Sequence, residues 1–594
     1  MERNPIRSFA SLKKNSDPAG VLPLPSPSSR TDRVLVPLFS SAIFIFAHFP
    51  GLTRRWVIND DVRQQIFWMQ QWQDPQLFPG DLLADYARHY VPWGVKGLYW
   101  LASWFLDPIT FSKVLPGLLF VFLGWCFFRI GVRLGSRRVG WFAVGVFWLM
   151  PFFLDNLSGG LARSFAAPLL AFFCLSWLAS SPWGLGLALL LQALFIPYIF
   201  VSAAGAILLA WLLGHLGWGP PPPFPRRLVH FVVLALACGL VAAMQRQFNA
   251  AGYGPLVSAA EMLNHPEFTA QGRYAILPVP SFFWEIISPW QYISPFEIGG
   301  LVLGVCGCVL LLGAAVFGGM RVPWQNLQSR AWPFIYLLLS SLFLYFLARI
   351  FLLKLFVPDR YLIYTLNLIY CLALALCLER ALRPGSWPRG LKAAALVLVA
   401  VLSGLRLYGV GLYDYSAYRP LYAALDRTPK SAIIAGHPHL LDNVPCFAQR
   451  RALATFELAH PWSKGYWEQI RPRLEDLFTA YYAEDPQVVR NFCRKHQISF
   501  LVVDDRHFTP QFLAGGRLPV PFDAPPKSGK KRLSERVACP FFAPFADLIR
   551  QQVRERSRFA LLDRDIFPGR TVDEHLRLLD MRSCFQGGPS SAGY

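Results

Sequence analysis

Long apolar runs recur along residues 34–408, and each is long enough to cross a membrane as a helix. A run of roughly 17 to 22 residues, rising 1.5 Å per residue, spans a hydrocarbon core of about 30 Å. The composition agrees, because the 594 residues are 54% hydrophobic and 16% charged, against about 25% charged in soluble domains. The sequence therefore predicts a polytopic α-helical membrane protein.

About eleven membrane spans are predicted, with edges placed to within about four residues. They cover residues 34–52, 110–128, 139–154, 163–180, 184–196, 199–213, 228–245, 298–317, 332–350, 362–379 and 392–410. The stretch 184–213 is too long for one ordinary span, and Pro197 in its middle predicts two helices that meet at a tight turn. If it is instead one kinked helix, the C-terminal domain moves to the cytoplasmic side.

The net charge is +21. The basic residues are concentrated in particular loops, so membrane topology accounts for the charge and no nucleic-acid partner is needed. Basic residues concentrate in the N-terminal tail and in alternate later loops, and the positive-inside rule assigns these segments to the cytoplasm. They are Arg3, Arg7, Lys13, Lys14, Arg30 and Arg33, then Arg129, Arg133, Arg137, Arg138, Arg226, Arg227, Arg321, Arg330, Arg380, Arg383, Arg389 and Lys392. An odd number of spans then places the C-terminal domain on the periplasmic or extracellular side of the inner (plasma) membrane.

Three regions are expected. Residues 1–33 are rich in Pro and Ser and lack a short apolar stretch followed by a cleavage site, so they are predicted to be a disordered cytoplasmic tail. Residues 34–411 form the transmembrane domain, with long outer loops at 53–109 and 246–297. Residues 412–594 form an extracytoplasmic domain.

The C-terminal domain shows alternating strand and helix patterns. SAIIAG (431–436), RALATF (451–456) and ISFLVVDD (498–505) are typical of buried strands, and 463–483 and 486–496 of helices. This alternation predicts an α/β domain with a largely parallel sheet. Near the end, 540–556 is predicted to be helical and 558–562 to be a strand.

The first outer loop carries two aromatic segments with helical apolar spacing, INDDVRQQIFWMQQW (58–72) and WGVKGLYWLASWF (93–105). Such segments are typical of helices that lie in the membrane interface.

Asp60 and Asp61 open the first of these segments, directly after the first span. Carboxylates near the positive end of a helix are held ionised, which suits a proton acceptor or a metal ligand. The alternative is that both are helix N-caps, a role that Asp fills well.

A second polar cluster in the same loop is Asp81, Asp85, Arg88 and His89, whose spacings of three and four place them on one helical face. They are candidate substrate-binding residues, and the alternative is an ordinary set of ion pairs on a wet surface.

Arg163 and Arg360 lie at the outer ends of spans, against the positive-inside trend. An anionic ligand such as a lipid phosphate accounts for cations there, and snorkelling to headgroups is the alternative. With Arg63 and with Tyr361 of the VPDRY stretch, they complete the candidate phosphate- and substrate-binding residues.

The cysteine and histidine patterns give only weak indications of disulfides or of a metal site. Cys446, Cys493, Cys539 and Cys584 could form two disulfides in an oxidising compartment, with three possible connectivities. His437 and His439 form an isolated HxH, which is a weak metal signal.

The stretch NDDVRQQIFWMQQWQDPQLFPGDLLADYARHYVPWGVKGLY (59–99) resembles bacterial, notably cyanobacterial, members of the type C glycosyltransferase superfamily. The order of parts over most of the chain is also similar to that superfamily. The resemblance implies an Asp of the first outer loop as catalytic carboxylate, here Asp60 or Asp61, and a polyprenyl-phosphate-linked sugar donor. It also implies a divalent cation, Mg or Mn, in some branches, with Asp60 and Asp61 as the ligands if there is one. The WWD pattern of sequon-binding oligosaccharyltransferases is missing, so protein N-glycosylation is not implied.

The function expected from this resemblance is inverting transfer of a sugar to a lipid, glycan or protein acceptor in cell-envelope polysaccharide biosynthesis. Two other classes stay open. A transporter or flippase of lipid-linked saccharides would place functional charges within the spans. A non-catalytic assembly subunit would use the soluble domain for binding.

Overall fold

The structure is a computed structural model that describes residues 29–222, 227–268, 281–287, 324–351, 357–382, 404–509 and 558–585, together with residues 390, 397 and 401. In the described residues up to the last long apolar helix, the helices are α1 Arg30–Thr53, α2 Val62–Gln65, α3 Leu82–Tyr90, α4 Trp93–Ala102, α5 Pro108–Leu134, α6 Arg137–Leu149, α7 Pro151–Leu157, α8 Ala166–Leu178, α9 Pro182–Phe195, α10 Pro197–His215, α11 Arg227–Ala250, α12 Ala259–Met262, α13 Phe282–Ile287, α14 Trp324–Ile350 and α15 Asp359–Ala381.

Apolar helices long enough to span a membrane confirm the multi-pass class. Six described helices meet length and hydropathy criteria, and the pair α6 and α7, bent by 64°, makes a seventh if it is one broken span. The shorter apolar helices are 162–178 and α9. Nine of the predicted spans coincide with described helices, whereas 298–317 and most of 392–410 lie outside the described residues. The total of eleven therefore stays a prediction.

The predicted break at Pro197 is confirmed. Helix α9 ends at Phe195, Ile196 has φ −152° and ψ 74°, and Pro197 opens α10. Proline at a first helical position lacks only an N–H that would have no partner in the helix. Residues 184–213 therefore fold as two helices.

A C-terminal region follows, which we define as the described residues from 413 onward. Its elements are β2 Tyr413–Asp414, α16 Arg419–Asp426, β3 Ile433–Gly436, α17 Pro438–Leu441, β4 Arg451–Ala452, α18 Lys464–Tyr481, α19 Pro486–His496, β5 Phe500–Asp504, β6 Gly569–Thr571 and β7 Leu576–Asp580. The predicted helices 463–483 and 486–496 are confirmed as α18 and α19.

The sheet of this region is mixed, so the prediction of a largely parallel sheet was only half right. Its strand order is β4-β3-β5-β7-β6. Strand β3 pairs in parallel with β4 and β5, whereas β7 runs antiparallel to both β5 and β6. The antiparallel half comes from residues after 568, where no strand was predicted.

The strand predicted at 558–562 was wrong, because Ala560–Leu562 is a 3-10 helix. A short apolar run does not distinguish a strand from a helical turn. The helix predicted at 540–556 lies outside the described residues.

The predicted interfacial helix at 58–72 is instead buried. It forms α2 and a 3-10 helix over Phe67–Trp72, and Val62, Ile66 and Phe67 are fully buried. A segment that is apolar on several faces is buried rather than half-exposed, and here the C-terminal region covers it. Helix α4 keeps the predicted amphipathic character, with Tyr99 buried and Trp100 exposed.

The start of the first loop and the start of the C-terminal region are joined as a two-stranded sheet. Strand β1, Val57–Ile58, pairs antiparallel with β2, so that Ile58 lies opposite Tyr413. We call this end of the bundle the domain end. It brings residues 59–61 beside residues 411–415.

Candidate functional site

Asn59, Asp60 and Asp61 form the tip of the segment between β1 and α2, at the domain end of the bundle. The Asn59 amide donates to the Gly411 carbonyl oxygen at 2.8 Å, which ties this tip to the residues before β2. The loop between α7 and α8 packs on its other side, where a Cβ added to Gly159 would lie 3.0 Å from the Asn59 Cβ. Gly159 has φ +87°, which glycine adopts without strain. The tip is therefore held from two sides.

The two aspartate side chains do not cap α2. Asp61 occupies the N-cap position but its side chain accepts no capping hydrogen bond. The Asp60 Oδ1 accepts from the Asp61 backbone N–H at 3.0 Å, which is outside the helix. The capping alternative is thus not the arrangement found, and the carboxylates are turned to other partners.

Asp61 is fixed by two partners of different kinds. Its Oδ1 accepts a hydrogen bond from Gln64 Nε2 at 2.6 Å. Its Oδ2 forms an ion pair with Arg163 Nη1. Both carboxylate oxygens of Asp61 are therefore engaged by neighbouring side chains.

Arg163 reaches this tip from the 3-10 helix Ala162–Phe165. Its Nη2 donates to the Asn59 Oδ1 at 3.1 Å. Its Nε is buried and has no hydrogen-bond partner among the described residues. The guanidinium is therefore anchored through one edge, with a donor left for a further acceptor.

The carboxyl group of Asp60 has a strongly raised pKa. Burial, and next the negative charge of Asp61, raise its pKa from 3.8 to about 7. Arg163 lowers the pKa by a smaller amount, and Glu457 raises it further. A carboxylate with a pKa close to the ambient pH is well matched to accept a proton from a substrate.

Arg63 joins the site to the C-terminal region. Its Nη1 donates to Asn443 Oδ1 at 3.0 Å and lies 3.9 Å from Asp442 Oδ2, and its Nη2 lies 3.9 Å from Glu457 Oε1. The guanidinium also stacks 4.3 Å from the Tyr415 ring centroid. Its side chain is 6% exposed, so Arg63 serves as a buried connector rather than an open ligand group.

Arg360 approaches the same end of the bundle from the first turn of α15. Its Nη1 donates to the Tyr364 hydroxyl at 3.4 Å, and that hydroxyl donates to Asn156 Oδ1 at 3.1 Å. Arg360 and Arg163 are close enough for their like charges to interact. Two cations therefore lie at the domain end beside the carboxylates.

Two tyrosines that the sequence did not single out also lie near the carboxylates. The pKa of Tyr413 is raised, chiefly by the negative charge of Asp60 and then by burial. Burial, followed by the charge of Asp61, raises the pKa of Tyr90 to about 12. Glu457 was missed as well, and the only signal for it is its apolar surroundings in ATFELAH.

The second predicted cluster does not join Asp60. The Asp81 side chain caps α3 by accepting from the Ala84 N–H at 3.0 Å. On α3 itself, Asp85 lies 3.9 Å from Arg88 and 3.5 Å from His89. Asp85, Arg88 and His89 therefore make the contacts expected of neighbours on one helix, and their role in substrate binding stays a prediction.

Tyr361 is buried away from the carboxylates. Its ring packs with Leu344 and Ala348 of α14 and lies 6.4 Å from the Tyr198 ring. A role in substrate binding for Tyr361 stays a prediction.

The described residues do not form a divalent-metal site around Asp60 and Asp61. No group of three or more His, Cys, Asp or Glu side chains in the described ranges is arranged to hold a metal ion. Both oxygens of Asp61 are taken by Arg163 and Gln64, whereas Mg or Mn requires about six oxygen ligands. The HxH at His437 and His439 forms no such group either.

The disulfide expectation has a partial outcome. Cys446, Cys493 and Cys584 are free thiols in this structure. Cys539 lies outside the described residues.

Comparison with solved structures finds archaeal oligosaccharyltransferases. The apo crystal structure of the Archaeoglobus fulgidus enzyme is 13% identical, with a TM-score of 0.45, over 82% of this chain and 71% of that chain. The AglB structure from the same organism, in complex with an inhibitory peptide and a dolichol-phosphate, gives the same values. A form complexed with Zn and sulfate is 12% identical, with a TM-score of 0.44, over 81% and 69%.

The similarity to these archaeal oligosaccharyltransferases is low, both in sequence and in structural overlap. At such identities and TM-scores it adds nothing to the assignment of an activity. No family model matches the sequence, and no curated protein matches it.

Proposed function

We propose that this chain is a membrane-embedded glycosyltransferase that moves a sugar from a polyprenyl-phosphate-linked donor to an acceptor hydroxyl. The observation that carries the proposal is the pairing of two unlike carboxylates. The carboxylate oxygens of Asp61 are engaged by Arg163 and Gln64, while the pKa of Asp60 is raised to about 7. A carboxyl group with a pKa near the ambient pH, beside a second carboxylate held by its own partners, is suited to proton transfer.

Asp60 is the group we assign to proton transfer. The acceptor hydroxyl loses its proton to the Asp60 carboxylate as the acceptor oxygen forms a bond to the anomeric carbon. The bond from that carbon to the phosphate oxygen breaks, and polyprenyl phosphate leaves with the electron pair. Attack opposite the leaving group inverts the anomeric configuration. General-base assistance of this kind contributes about 10²- to 10⁴-fold to a rate.

Arg163 and Arg360 are the groups we assign to the donor phosphate. The buried Nε of Arg163 has no partner in the described part of the chain, so it can donate to a phosphate oxygen. Guanidinium groups bind phosphate oxygens by charge-assisted hydrogen bonds, which strengthen as negative charge develops on the leaving group. The site lies beside the ends of α1, α8 and α15, where a lipid-linked donor held in the bilayer can reach it.

Every step of this mechanism is assigned to this chain's own side chains. The C-terminal region supplies Glu457, Asn443 and Tyr415 around Arg63. It therefore contributes positioning groups rather than a catalytic unit of its own, and the acceptor is a lipid, glycan or protein on the non-cytoplasmic side.

The test compares three matched Asp-to-Asn variants of the first loop. Asp60→Asn and Asp61→Asn should each lower turnover with a polyprenyl-phosphate sugar by about 10² or more, since Asn cannot accept the proton and cannot pair with Arg163 as an anion. Asp81→Asn is the control, because Asp81 is also a buried carboxyl with its pKa raised by burial to about 6. Its N-cap role survives the change to Asn.

All three variants should insert and unfold at temperatures within a few degrees of the parent protein. Full activity of Asp60→Asn and Asp61→Asn would contradict the assignment of Asp60 as the base, and absence of turnover by the parent protein would favour a transporter or an assembly subunit. Equal losses in all three would show that the loop is sensitive to any lost charge rather than that Asp60 is a base.

A further inference from the structure

A cavity of about 430 Å³ lies beside the face of α3 that carries Arg88. It is lined by Trp68, Gln71, Trp72, Arg88, His89, Lys96 and Gln247. These residues come from three elements of the first loop and from the end of α11. The mechanism above uses none of them.

One wall of the cavity is aromatic. The rings of Trp68 and Trp72 meet edge to face with centroids 5.2 Å apart. Trp68 is 2% exposed, and its indole Nε1 is buried with no hydrogen-bond partner among the described residues. A buried indole N–H normally has a partner. The absence of a partner among the described residues points to a ligand that accepts a hydrogen bond.

The cavity also presents two cations side by side. The Arg88 guanidinium lies 5.5 Å over the Trp68 ring and is oriented by a 2.6 Å hydrogen bond to Gln71 Oε1. The Lys96 ammonium donates to the Arg88 carbonyl oxygen at 3.0 Å. Burial and the nearby charge of Arg88 lower the pKa of Lys96. An anion bound between them would relieve this repulsion.

The charge balance favours a ligand with a single negative charge. Among the described residues that line the cavity there is no carboxylate. The Asp85 Oδ1 lies 3.9 Å from Arg88 Nη1, and its Oδ2 lies 3.5 Å from His89 Nδ1 and accepts from the Tyr253 hydroxyl at 2.5 Å. Asp85 therefore offsets one of the two positive charges of Arg88 and Lys96. A ligand with about one negative charge would balance the other.

We propose that this cavity binds an acidic saccharide, a sugar ring that carries a carboxylate. The apolar C–H face of the ring packs on Trp68 and Trp72, the amides of Gln71 and Gln247 meet hydroxyl groups, and the carboxylate lies between Arg88 and Lys96. Apolar walls with a few convergent polar groups are the usual composition of a small-molecule site, and guanidinium groups bind carboxylates in a fork geometry.

If the proposed transfer reaction holds, the saccharide is part of the acceptor. Helix α3 carries Arg88 toward the cavity and Tyr90 toward Asp61 and Arg163, whose charges act on Tyr90. A helix with its side chains is about 10 Å across. An acceptor of two or three sugar units could therefore occupy the cavity and place a hydroxyl at Asp60.

The test measures binding without turnover, on the purified full-length protein in detergent. The probes are a disaccharide that contains glucuronic acid, a neutral disaccharide of the same linkage with glucose in its place, and inorganic phosphate. Calorimetry should give the acidic disaccharide at least about ten-fold tighter binding than the neutral one, the size of one charge-assisted hydrogen bond.

Two variants and one control assign the site. Lys96→Gln should remove the preference for the acidic disaccharide, and Trp72→Ala should weaken both disaccharides by about ten-fold. Trp100→Ala, which removes an exposed indole from α4, should bind both as the parent does. Because binding is measured without turnover, a failed transfer assay and a failed binding site are told apart.

Equal affinity for the two disaccharides in the parent protein would overturn the proposal. So would competition by inorganic phosphate as strong as that of the acidic disaccharide, which would mark a simple anion or headgroup site.

Discussion

The Arg163 guanidinium forms an ion pair with the Asp61 carboxylate and, through its other terminal nitrogen, a hydrogen bond to Asn59. The start of α8 is thereby fastened to the tip of the first loop, at the place where the chain leaves its first span. This contact sets the direction of the Asp61 carboxylate. It also leaves the Arg163 Nε without a partner among the described residues.

Substitution of Arg163 should affect the donor more than the fold. Lys keeps the charge but not the fork of donors, so Arg163→Lys should raise the KM for the polyprenyl-phosphate sugar and lower kcat by about ten-fold. Arg163→Gln, which also loses the charge, should lower kcat further than Arg163→Lys does. Initial-rate kinetics over donor concentration provide the measurement, and an unchanged KM in both variants would contradict phosphate binding by Arg163.

The pH profile should report Asp60. Only the ionised carboxylate accepts a proton, and burial with the charge of Asp61 raises its pKa to about 7. The ratio kcat/KM should therefore fall as the pH drops below about 7 and level off above it. Asp60→Asn should lose this dependence along with most of the rate.

Substitution of Glu457 tests the direction in which the pKa of Asp60 shifts, read from the acidic limb of the same pH profile. Its negative charge contributes to the raised pKa of Asp60, so Glu457→Gln should lower that pKa and move the limb to lower pH. The matched control is Glu261→Gln, which removes a carboxylate that pairs with Lys464. A limb that moves to higher pH in Glu457→Gln would contradict the assignment.

Arg63 should carry stability rather than chemistry. Removal of a buried cation strands its partners, here Asp442 and Glu457, at a cost of about 3 kcal/mol or more. Arg63→Gln should therefore lower the unfolding temperature markedly. Lys464→Gln breaks a more exposed ion pair with Glu261 and should cost about 1 kcal/mol or less. Equal thermal shifts for the two variants would show that Arg63 is not a buried connector.

The orientation of the chain in the membrane can be tested by cysteine labelling. Helix α1 has 24 residues, a length of about 36 Å, and its last residues lead into β1 beside the C-terminal region. Cysteines introduced at Arg33 and at the exposed Arg427 should therefore react with an impermeant reagent from opposite sides of the membrane, with Arg427 on the periplasmic or extracellular side. Reaction of both from one side would reject this topology.

Much of the bundle was predictable because hydrophobic length is a local property. The break at Pro197 and the helices α18 and α19 also followed from local patterns. The buried state of 58–72 did not, because an aromatic helix has the same sequence pattern whether lipid or another domain covers it. The cover is supplied by residues near 444–448, far along the chain.

The functional site, too, could be predicted from the sequence only in part. Asp60, Asp61, Arg163 and Arg360 were each predicted from their position at the end of a span, but no local pattern joins Arg163 to Asn59, which lies 104 residues earlier. The contact of Arg63 with Asn443 spans 380 residues. Tyr413 and Glu457 were missed because an isolated tyrosine or glutamate carries no periodic signal.

The pairing of β1 with β2 has a consequence for the making of the protein. Asp60 and Asp61 leave the ribosome early, whereas Tyr413, opposite Ile58, follows only after every predicted span. Throughout synthesis the two carboxylates exist without the strand that fixes them. Competence for catalysis is therefore expected to arrive late and in a single step, and a nascent or truncated chain that ends before residue 413 should insert in the bilayer yet remain inert toward lipid-linked sugars.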